Sequence, residues 1–425
     1  MKIAIVNHSD VRGGASVVSF RLMEALRREG ADVSMLVMHR ATASPHVIQA
    51  GPAWRRKAAF LAEHADIFLH NGFDRSDLFK VSVATAGMPL HRHPVITEAD
   101  AVILNWVNQG MLSLAEIGRM ARAGKKIFWV MHDMWNMTGI CHHAGECRRF
   151  CAECGLCPLV HRHHASEGDL SHRVWRRKKE LYDSADITFV AVSRWLGKLA
   201  EESALLHDRL VEVIPNAFPT DEFISDSKHA PVSRESLGLP EGNLVLMGAA
   251  RLDDPVKGLP VAVEALNRLD DTVRAGQSAP ATAVFFGALR NPHALDSLRL
   301  PYVHLGTVSD TQVLRSLYAH AVVVLSSSLY ETLPGTLIEG QASGCYPVSF
   351  GRGGQSDIID HLRTGYIARY LDPDDLCRGI TEGLARRYDA DELRRSVDER
   401  FSARSVACRW LALLGNQTVD SAIKK

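Results

Sequence analysis

Short runs of apolar residues recur along the first half of the chain, and stretches with a helical repeat separate several of them. The runs have the length of buried strands and lie at 2–7, 32–38, 101–106, 126–131, 187–192 and 211–214. Helical spacing of apolar residues is clearest at 17–28 and 111–123. Buried strands that alternate with helices are typical of a parallel sheet covered on both faces. The pattern therefore predicts a doubly wound α/β domain.

The same alternation begins again after an interruption. Residues 214–223, IPNAFPTDEF, contain two prolines and an asparagine that break regular structure, and a polar stretch follows. The predicted strands of the second series are 244–249, 282–287, 302–305 and 321–325, and its predicted helices include 259–269, 310–319 and 373–387. We therefore expect two Rossmann-like domains, at 1–218 and 219–400.

A long insertion, 41–100, interrupts the alternation in the first series. Within it Trp54, Ala58, Leu61, Ala65 and Phe68 recur at helical spacing, next to three consecutive basic residues at 55–57. Such a stripe could rest on a membrane surface. More often a stripe of this kind packs against its own domain, and we expect that here.

Composition narrows the possible functions. The chain has 425 residues, and its 49 Lys and Arg balance its 49 Asp and Glu, so no overall positive field favours nucleic acid. The apolar run at the N-terminus is too short for a signal peptide, and no run approaches the ~18 apolar residues of a membrane span. We expect a cytoplasmic protein.

Candidate chemistry is densest at 326–354, directly after the predicted strand 321–325. Glu331 falls in the loop at the carboxyl end of that strand, which is where open α/β sheets bind ligands. Thr336 is predicted to cap the following helix, whose free N–H groups could hold an anion, and Glu339 lies about one turn into that helix. The two carboxylates could bind hydroxyl groups of one ligand while the backbone between them binds its phosphates.

Two basic residues are expected to lie close to this loop. Arg251 and Lys257 flank the proline-containing loop after the first strand of the second series. Because the carboxyl ends of parallel strands meet at one edge of a sheet, both cations can converge on the site of Glu331 and Glu339.

Five of the eight cysteines lie between 141 and 157, a clustering that suggests a metal site and not a disulfide framework. The spacing of Cys141, Cys147, Cys154 and Cys157 fits a tetrahedral thiolate site, in which zinc would be structural. Cys151 is a fifth candidate, and His142 or His143 could replace one thiolate. A set of free thiols without a metal is the alternative.

Three features together resemble a known family. They are the Glu-x7-Glu spacing of Glu331 and Glu339, the GGxxDII run at 353–359, and an HDMW…TG…C…C…C…CP pattern that begins at His132. They resemble the GT-B glycosyltransferases, specifically a bacterial polysaccharide-type branch of glycosyltransferase family four with a cysteine-rich loop. The resemblance implies two Rossmann-like domains facing a central cleft, with the final helix, about 403–414, packed back on the first domain.

The resemblance also implies roles for individual residues. His132 and Glu331 would be the catalytic residues. The turn of Gly13 and Gly14 would contact the acceptor or a donor phosphate. Glu339 would bind the ribose, and Arg251 and Lys257 the diphosphate. The full set of implied donor contacts is Arg251, Lys257, Thr307, Leu333, Pro334, Gly335, Thr336 and Glu339.

The function implied by this resemblance is transfer of a sugar, with retention of anomeric configuration, from a nucleotide-diphosphate sugar to a saccharide or lipid-linked acceptor. No cofactor or metal is expected in the reaction, and the pathway would be cell-surface polysaccharide synthesis, with the inner membrane face as one location that the resemblance allows. One alternative is a GT-B epimerase or phosphorylase. Another is a noncatalytic sugar-binding or nucleotide-binding partner of a polysaccharide assembly complex.

Overall fold

The chain forms two compact units. A computed structural model describes residues 1–71, 73, 80–160, 165–223 and 227–423. Unit 1 comprises Met1–Ala217 and Val406–Lys425, and unit 2 comprises Phe218–Ser405. The chain therefore leaves unit 1 after Ala217 and returns to it at Val406.

Unit 1 is built on a seven-stranded sheet in which every neighbouring pair is parallel. Its strands are β1 Lys2–Ser9, β2 Asp32–His39, β3 Val47–Gln49, β4 Ala101–Leu104, β5 Lys126–Met131, β6 Ile187–Ala191 and β7 Val211–Val213. Its helices, apart from the last of the chain, are α1 Gly14–Arg28, α2 Ala53–His70, α3 Pro94–Thr97, α4 Leu114–Arg122, α5 Leu170–Ser184 and α6 Arg194–Glu202. The spatial order β3-β2-β1-β4-β5-β6-β7 reverses direction between β1 and β4.

Aromatic side chains fill the centre of unit 1. Trp129 of β5 and Phe189 of β6 are register partners, and their rings stack with centroids 6.2 Å apart. Tyr182 of α5 meets Phe189 edge-on at 4.9 Å. All three side chains are buried, so the apolar runs of the sequence serve a sheet that is covered by packing.

Unit 2 has a six-stranded sheet whose pairs are again all parallel. Its strands are β8 Asn243–Arg251, β9 Ala281–Ala288, β10 Tyr302–His304, β11 Val323–Ser326, β12 Tyr346–Phe350 and β13 Tyr366–Ala368. Its helices are α7 Leu259–Arg274, α8 Thr311–His320, α9 Gly335–Ala342, α10 Pro373–Leu384 and α11 Ala390–Phe401. The order β10-β9-β8-β11-β12-β13 reverses between β8 and β11, and this reversal positions the candidate site.

The last helix, α12 Ala403–Ile423, begins in unit 2 and continues in unit 1. Val406, Ala407 and Trp410 are buried, and the Trp410 ring meets Phe128 of β5 edge-on with centroids 6.2 Å apart. Arg409 donates a hydrogen bond of 2.5 Å to the carbonyl of Val213. Residues that follow unit 2 in the sequence therefore help to cover the sheet of unit 1.

Helix α2 contradicts one prediction. The stripe that begins at Trp54 was expected to pack on its own domain, but Trp54 is 66% exposed and Leu61 is 53% exposed. The helix instead buries Ile67, which belongs to the same buried apolar cluster as Val81 and Val174. The prediction was wrong because an apolar stripe does not reveal which face of a helix meets the rest of the domain. Among the described residues, no helix combines the length and apolarity needed to cross a bilayer.

Candidate active site

The strongest cluster of predicted site residues lies where the order of the unit 2 sheet reverses. Lys257 follows β8 and Glu331 follows β11, and the Lys257 ammonium donates a hydrogen bond to Glu331 Oε1. Ser328 Oγ donates to the same oxygen at 3.0 Å. Within the described part of the chain Glu331 Oε2 accepts no hydrogen bond, so this oxygen remains available to a ligand.

The loops that carry this pair are fastened to each other. Leu329 N donates to the carbonyl of Val256 at 2.8 Å, and Ser327 Oγ donates to the carbonyl of Lys257 at 2.8 Å. On the other side Gly354 N donates to the Glu331 carbonyl at 2.8 Å. A Cβ built on Gly353, whose φ is +119°, would lie 2.3 Å from that carbonyl oxygen. The GGxxDII run therefore begins with glycine because its backbone presses against the Glu331 loop.

Arg251 ends β8 on the same side of the sheet. Its Nη2 donates to Asp254 Oδ2 at 2.6 Å, and its buried Nε lies 3.7 Å from Asp253 Oδ1 in an ion pair that is too long for a hydrogen bond. Two carboxylates therefore orient the guanidinium at the end of β8. An anionic ligand at this edge would compete with them for its N–H groups.

Helix α9 begins one residue earlier than the sequence suggested. Its N-cap is Pro334, which makes no side-chain cap hydrogen bond, and Gly335 is its first residue. The prediction that Thr336 caps the helix is therefore wrong, because Thr336 already lies within the first turn. Leu333 and Pro334 are buried in the preceding loop.

Glu339 lies in the second turn of α9 and is only 8% exposed. Its Oε2 accepts a hydrogen bond of 3.4 Å from the hydroxyl of Tyr318, which is itself buried. Thr307 is placed differently, since it follows the edge strand β10, two strands from β8, and is exposed. The structure thus joins Lys257 directly to Glu331 and puts Thr307 at the rim of the same sheet.

In unit 1 the glycine turn after β1 lies where the sheet order reverses. Gly13 is the N-cap of α1 and has a φ of +90°, a conformation that favours glycine. A Cβ built on Gly14 would meet no atom within 4 Å, and its φ is ordinary, so neither strain nor packing requires glycine at this position. Glycine at position 14 would, however, allow a ligand to approach the backbone closely.

His132 follows β5, at the carboxyl end of the same sheet. Its Nε2 lies 2.8 Å from Asn105 Oδ1, an arrangement in which Nε2–H donates and Nδ1 keeps its lone pair. The ring is partly exposed, yet the packing around it lowers the pKa of His132 to about 4, although nearby Asp133 opposes this shift. His132 is therefore neutral near pH 7 and can accept a hydrogen bond through Nδ1.

Asp133 forms the centre of a network that the sequence did not predict. Its Oδ2 accepts hydrogen bonds from His142 Nδ1 at 2.7 Å and from Trp106 Nε1 at 3.1 Å, and His142 Nε2 lies 3.0 Å from Ser82 Oγ. Burial raises the pKa of Asp133, but the His142 charge and hydrogen bond outweigh it, and the pKa falls to about 2. Serine, histidine and aspartate are connected as in a hydrolase, but Ser82 is fully buried and cannot reach a substrate.

The same network corrects the candidate metal ligands. Both ring nitrogens of His142 have partners, so His142 does not replace a thiolate. The five loop cysteines form no disulfide bond, and burial raises the pKa of Cys141, Cys154 and Cys157 to about 11. Within the described ranges, no three His, Cys, Asp or Glu side chains are arranged as ligands of a metal ion.

Lys178 of α5 supports the segment between His132 and the cysteines. Its fully buried ammonium donates to the carbonyls of Trp135, Thr138 and Gly139, the latter two at 3.0 and 2.9 Å. It also lies 3.4 Å from the centroid of a Trp135 ring. Burial lowers the pKa of Lys178 to about 7. Sequence reasoning missed this residue because the basic run RRKK looks like a solvated helix surface.

Comparison with known proteins adds two kinds of similarity. The sequence model of the family described as "Glycosyl transferases group 1" matches residues 243–386, which include Arg251, Lys257, Glu331 and Glu339. A putative colanic acid biosynthesis glycosyl transferase, WcaC, from Escherichia coli (strain K12) is 24% identical over 125 residues. That match covers 28% of this chain and 29% of WcaC, so the chain spans less than a third of this curated relative.

Two solved structures are similar over nearly the whole chain. Anabaena Alr3699/HepE in complex with UDP-glucose has a TM-score of 0.62 at 16% identity and covers 98% of this chain and 100% of its own. Sucrose-phosphate synthase (tll1590) from Thermosynechococcus elongatus has a TM-score of 0.64 at 16% identity, with 99% and 100% coverage. With two parallel, doubly wound sheets, the chain has the GT-B fold, which confirms the predicted fold class.

Proposed function

We propose that this protein is a retaining glycosyltransferase that uses a nucleotide-diphosphate sugar. The observation that carries the proposal is the Lys257–Glu331 pair beside Arg251, at the reversal point of a sheet within the segment matched by the glycosyl transferases group 1 model. Ligands of open α/β sheets bind at this position. The UDP-glucose bound to Alr3699/HepE makes UDP-sugars the first donors to test.

In this proposal each half of the donor meets groups suited to its chemistry. Arg251, Lys257 and the N-terminus of α9, with its loop Leu333–Thr336, bind the diphosphate. Glu331 Oε2 accepts a hydrogen bond from a hydroxyl of the transferred sugar, and Glu339 binds the ribose. The backbone around Thr307 contacts the base.

The reaction we propose proceeds on one face of the sugar. The bond between the anomeric carbon and the diphosphate oxygen breaks, the acceptor oxygen bonds to the same face, and its proton passes to the departing phosphate. Negative charge grows on the diphosphate as that bond breaks, and fixed donors such as Lys257 and Arg251 stabilise it most at that moment. One well-placed donor of this kind is typically worth ~3 kcal/mol in the transition state.

The first unit contributes His132 and the glycine turn. We assign to His132 Nδ1 the acceptance of a hydrogen bond from a sugar hydroxyl, because Asn105 already occupies Nε2. Gly14 leaves space for close approach of the acceptor or of a donor phosphate. We propose a saccharide or lipid-linked acceptor and a role in cell-surface polysaccharide synthesis, as the names of relatives such as WcaC suggest.

The decisive experiment incubates the protein with UDP-, GDP- and ADP-sugars labelled in the sugar, with and without lipid-linked saccharide extracts, and follows release of nucleotide diphosphate. We expect one donor to be consumed, and Lys257→Ala to reduce consumption ~100-fold through loss of a transition-state donor. The matched control is Arg299→Ala, which breaks the exposed Arg299–Asp271 ion pair in the same unit. Wild-type rates in Lys257→Ala would refute the assigned site.

The products separate the alternatives. A transferase gives nucleotide diphosphate and a new glycoside with the donor's anomeric configuration. An epimerase gives an altered nucleotide sugar, and a phosphorylase consumes inorganic phosphate in the reverse direction. Tight nucleotide-sugar binding without turnover of any donor would identify a noncatalytic binding partner.

We further propose that unit 1 contacts the inner face of a membrane through α2. Trp54, Leu61 and Leu69 are 66, 53 and 56% exposed and share one helix face. Arg55 and Lys57 are exposed at its N-terminal end, and the Arg55 guanidinium lies 5.1 Å from a Trp54 ring centroid. An apolar face with basic residues at its margin suits an anionic lipid surface, where a lipid-linked acceptor would be found.

Vesicle flotation tests this contact. We expect the protein to float with phosphatidylglycerol vesicles more than with phosphatidylcholine vesicles, and the double variant Trp54→Ser, Leu61→Ser to lose most of this binding. The control is Leu362→Ser, an exposed leucine in unit 2. Equal flotation of the double variant and the wild type would exclude α2 as the contact.

A further inference from the structure

Four of the five loop cysteines surround one small cavity in unit 1. Cys141, Cys147, Cys154 and Cys157 all line it, and its volume of about 20 Å³ has room for a single atom of the size of water or a metal ion. The cavity wall is almost entirely apolar apart from the thiols. A cavity lined by four sulfur atoms offers a soft ligand set and little for water to bond to.

The fold draws the four thiols together from three parts of the loop. Cys141 forms an isolated antiparallel bridge with Val81, and Cys157 N donates a 2.8 Å hydrogen bond to Asp169 at the start of α5. Cys154 Sγ accepts a hydrogen bond of 3.2 Å from Gly139 N. This hydrogen bond fixes the Cys154 side chain at the cavity wall.

We propose that Cys141, Cys147, Cys154 and Cys157 bind one Zn²⁺ ion in this cavity as a structural site. The fifth cysteine, Cys151, does not line the cavity. His142 is held by Asp133 and Ser82, and His143 is likewise absent from the cavity wall. The four cavity-lining thiols are therefore the ligand set that we propose.

Lys178 of α5 lies buried beside the cavity. The ammonium of Lys178 is fully buried next to this loop, and its hydrogen bonds go to three backbone carbonyls, two of them from the cavity-lining residues Thr138 and Gly139. Across the described residues it forms no ion pair with a carboxylate. A zinc ion with four thiolates has a net charge of −2, and a protonated Lys178 beside the cavity would offset part of this charge.

Zinc binding exchanges one metal ion for the protons of the four thiols. Zn²⁺ displaces four protons from the thiols to solvent, and a complex with four Zn–S bonds and no open position remains. Because no three of these side chains are arranged as ligands, the thiols must rotate into the cavity to reach Zn–S distances of ~2.3 Å. Such a closed site cannot activate a substrate, so the role of the ion is to fix the loop.

Fixing this loop has a direct consequence for the residues after β5. Hydrogen bonds connect this loop to Asp133 through His142, the residue after Cys141. Met134 N donates to the His142 carbonyl at 2.8 Å, and His142 Nδ1 bonds to Asp133. His132 is the neighbour of Asp133. The ion would therefore hold the segment that carries His132 without contacting any substrate.

The test measures metal directly and does not depend on transferase activity. The full chain is expressed in zinc-supplemented medium, purified under reducing conditions without chelators, and analysed for zinc by mass spectrometry. We expect one equivalent in the wild type and in Cys151→Ser, the matched control, and at least a fivefold lower content in Cys147→Ser and Cys154→Ser. No zinc in the wild type, or an equal loss in Cys151→Ser, would overturn the proposal.

Titration with Co²⁺ tests the same site in the wild-type protein, so it does not require a variant that folds. The wild type is stripped of metal and titrated with Co²⁺, and a tetrahedral site with four thiolates gives intense sulfur-to-cobalt charge-transfer absorption that saturates at one equivalent. Zinc added afterwards should abolish this absorption. A weak octahedral spectrum, or no saturation, would refute the four-thiolate site even if the serine variants fail to fold.

Discussion

Lowering the pH should destabilise unit 1 through His132, and the size of the effect follows from its burial. The folded protein holds the pKa of His132 at about 4, against an ordinary value of 6.5. As the pH falls below 6.5 the unfolded chain takes up a proton that the folded chain accepts only near pH 4. The free energy of unfolding must therefore decrease across this window.

The magnitude can be worked from these two values. At pH 4.5 almost every unfolded chain carries the proton, whereas only about a quarter of folded chains do. Relative to pH 7, His132 alone should then lower the free energy of unfolding by about 2 kcal/mol. His8, whose pKa burial also lowers to about 4, should add a similar amount. Asp133, with a pKa of about 2, loses its stabilising effect only at lower pH.

The position of the tryptophans makes this measurable for unit 1 alone. All seven tryptophans of the chain lie in the sequence of unit 1 and none between 218 and 405. Urea unfolding followed by tryptophan fluorescence at pH 7 and pH 4.5 therefore reports on the unit that contains His132. In His132→Gln the loss of stability between the two pH values should be smaller by about 2 kcal/mol, while the contribution of His8 remains.

The matched control is His207→Gln, a substitution at an exposed histidine of the same unit, which should keep the wild-type pH profile. If His132→Gln loses as much stability as the wild type between pH 7 and pH 4.5, His132 is protonated in the folded protein at higher pH. The assignment of a neutral ring that accepts a hydrogen bond through Nδ1 would then fail.

Three further predictions concern single side chains. Gly14→Ala should leave the unfolding midpoint unchanged because its Cβ meets no atom, yet lower donor turnover at least tenfold; full activity would show that no ligand approaches there. Calorimetry with the bare nucleotide should find affinity reduced ~10-fold in Glu339→Gln and unchanged in Glu331→Gln, and the reverse pattern would exchange their roles. Lys178→Met should cost about 2 kcal/mol or more of unit 1 stability, because it leaves the buried carbonyls of Thr138 and Gly139 without a donor, and a stable variant would contradict that account.

The sequence located the donor-side residues because their positions depend on local rules. Lys257 and Glu331 each follow a buried strand, and parallel strands necessarily end on the same side of a sheet. Periodicity also found most strands to within a few residues. It missed β12, whose sequence contains Pro347, and the three-residue strands β3 and β13, because their few apolar residues give no periodic signal.

The remaining differences arise from long-range packing. The buried face of α2 is the one that places Ile67 in the same apolar cluster as Val81 and Val174, residues far away in the sequence. Lys178 looks like one more charge in a basic run, and only the fold shows that its ammonium reaches the carbonyl of Trp135, 43 residues earlier. The Asp133–His142 bond was equally invisible, since a histidine between cysteines looks first like a metal ligand.

The route of α12 bears on the order in which the protein can fold during synthesis. Unit 2 is one continuous segment, so a nascent chain can complete it as soon as Ser405 leaves the ribosome. Unit 1 starts earlier but lacks the side chain that covers Phe128 until Trp410 has been made. The domain translated first is therefore the one that finishes last, because the side chain that covers Phe128 follows the whole of unit 2 in the sequence.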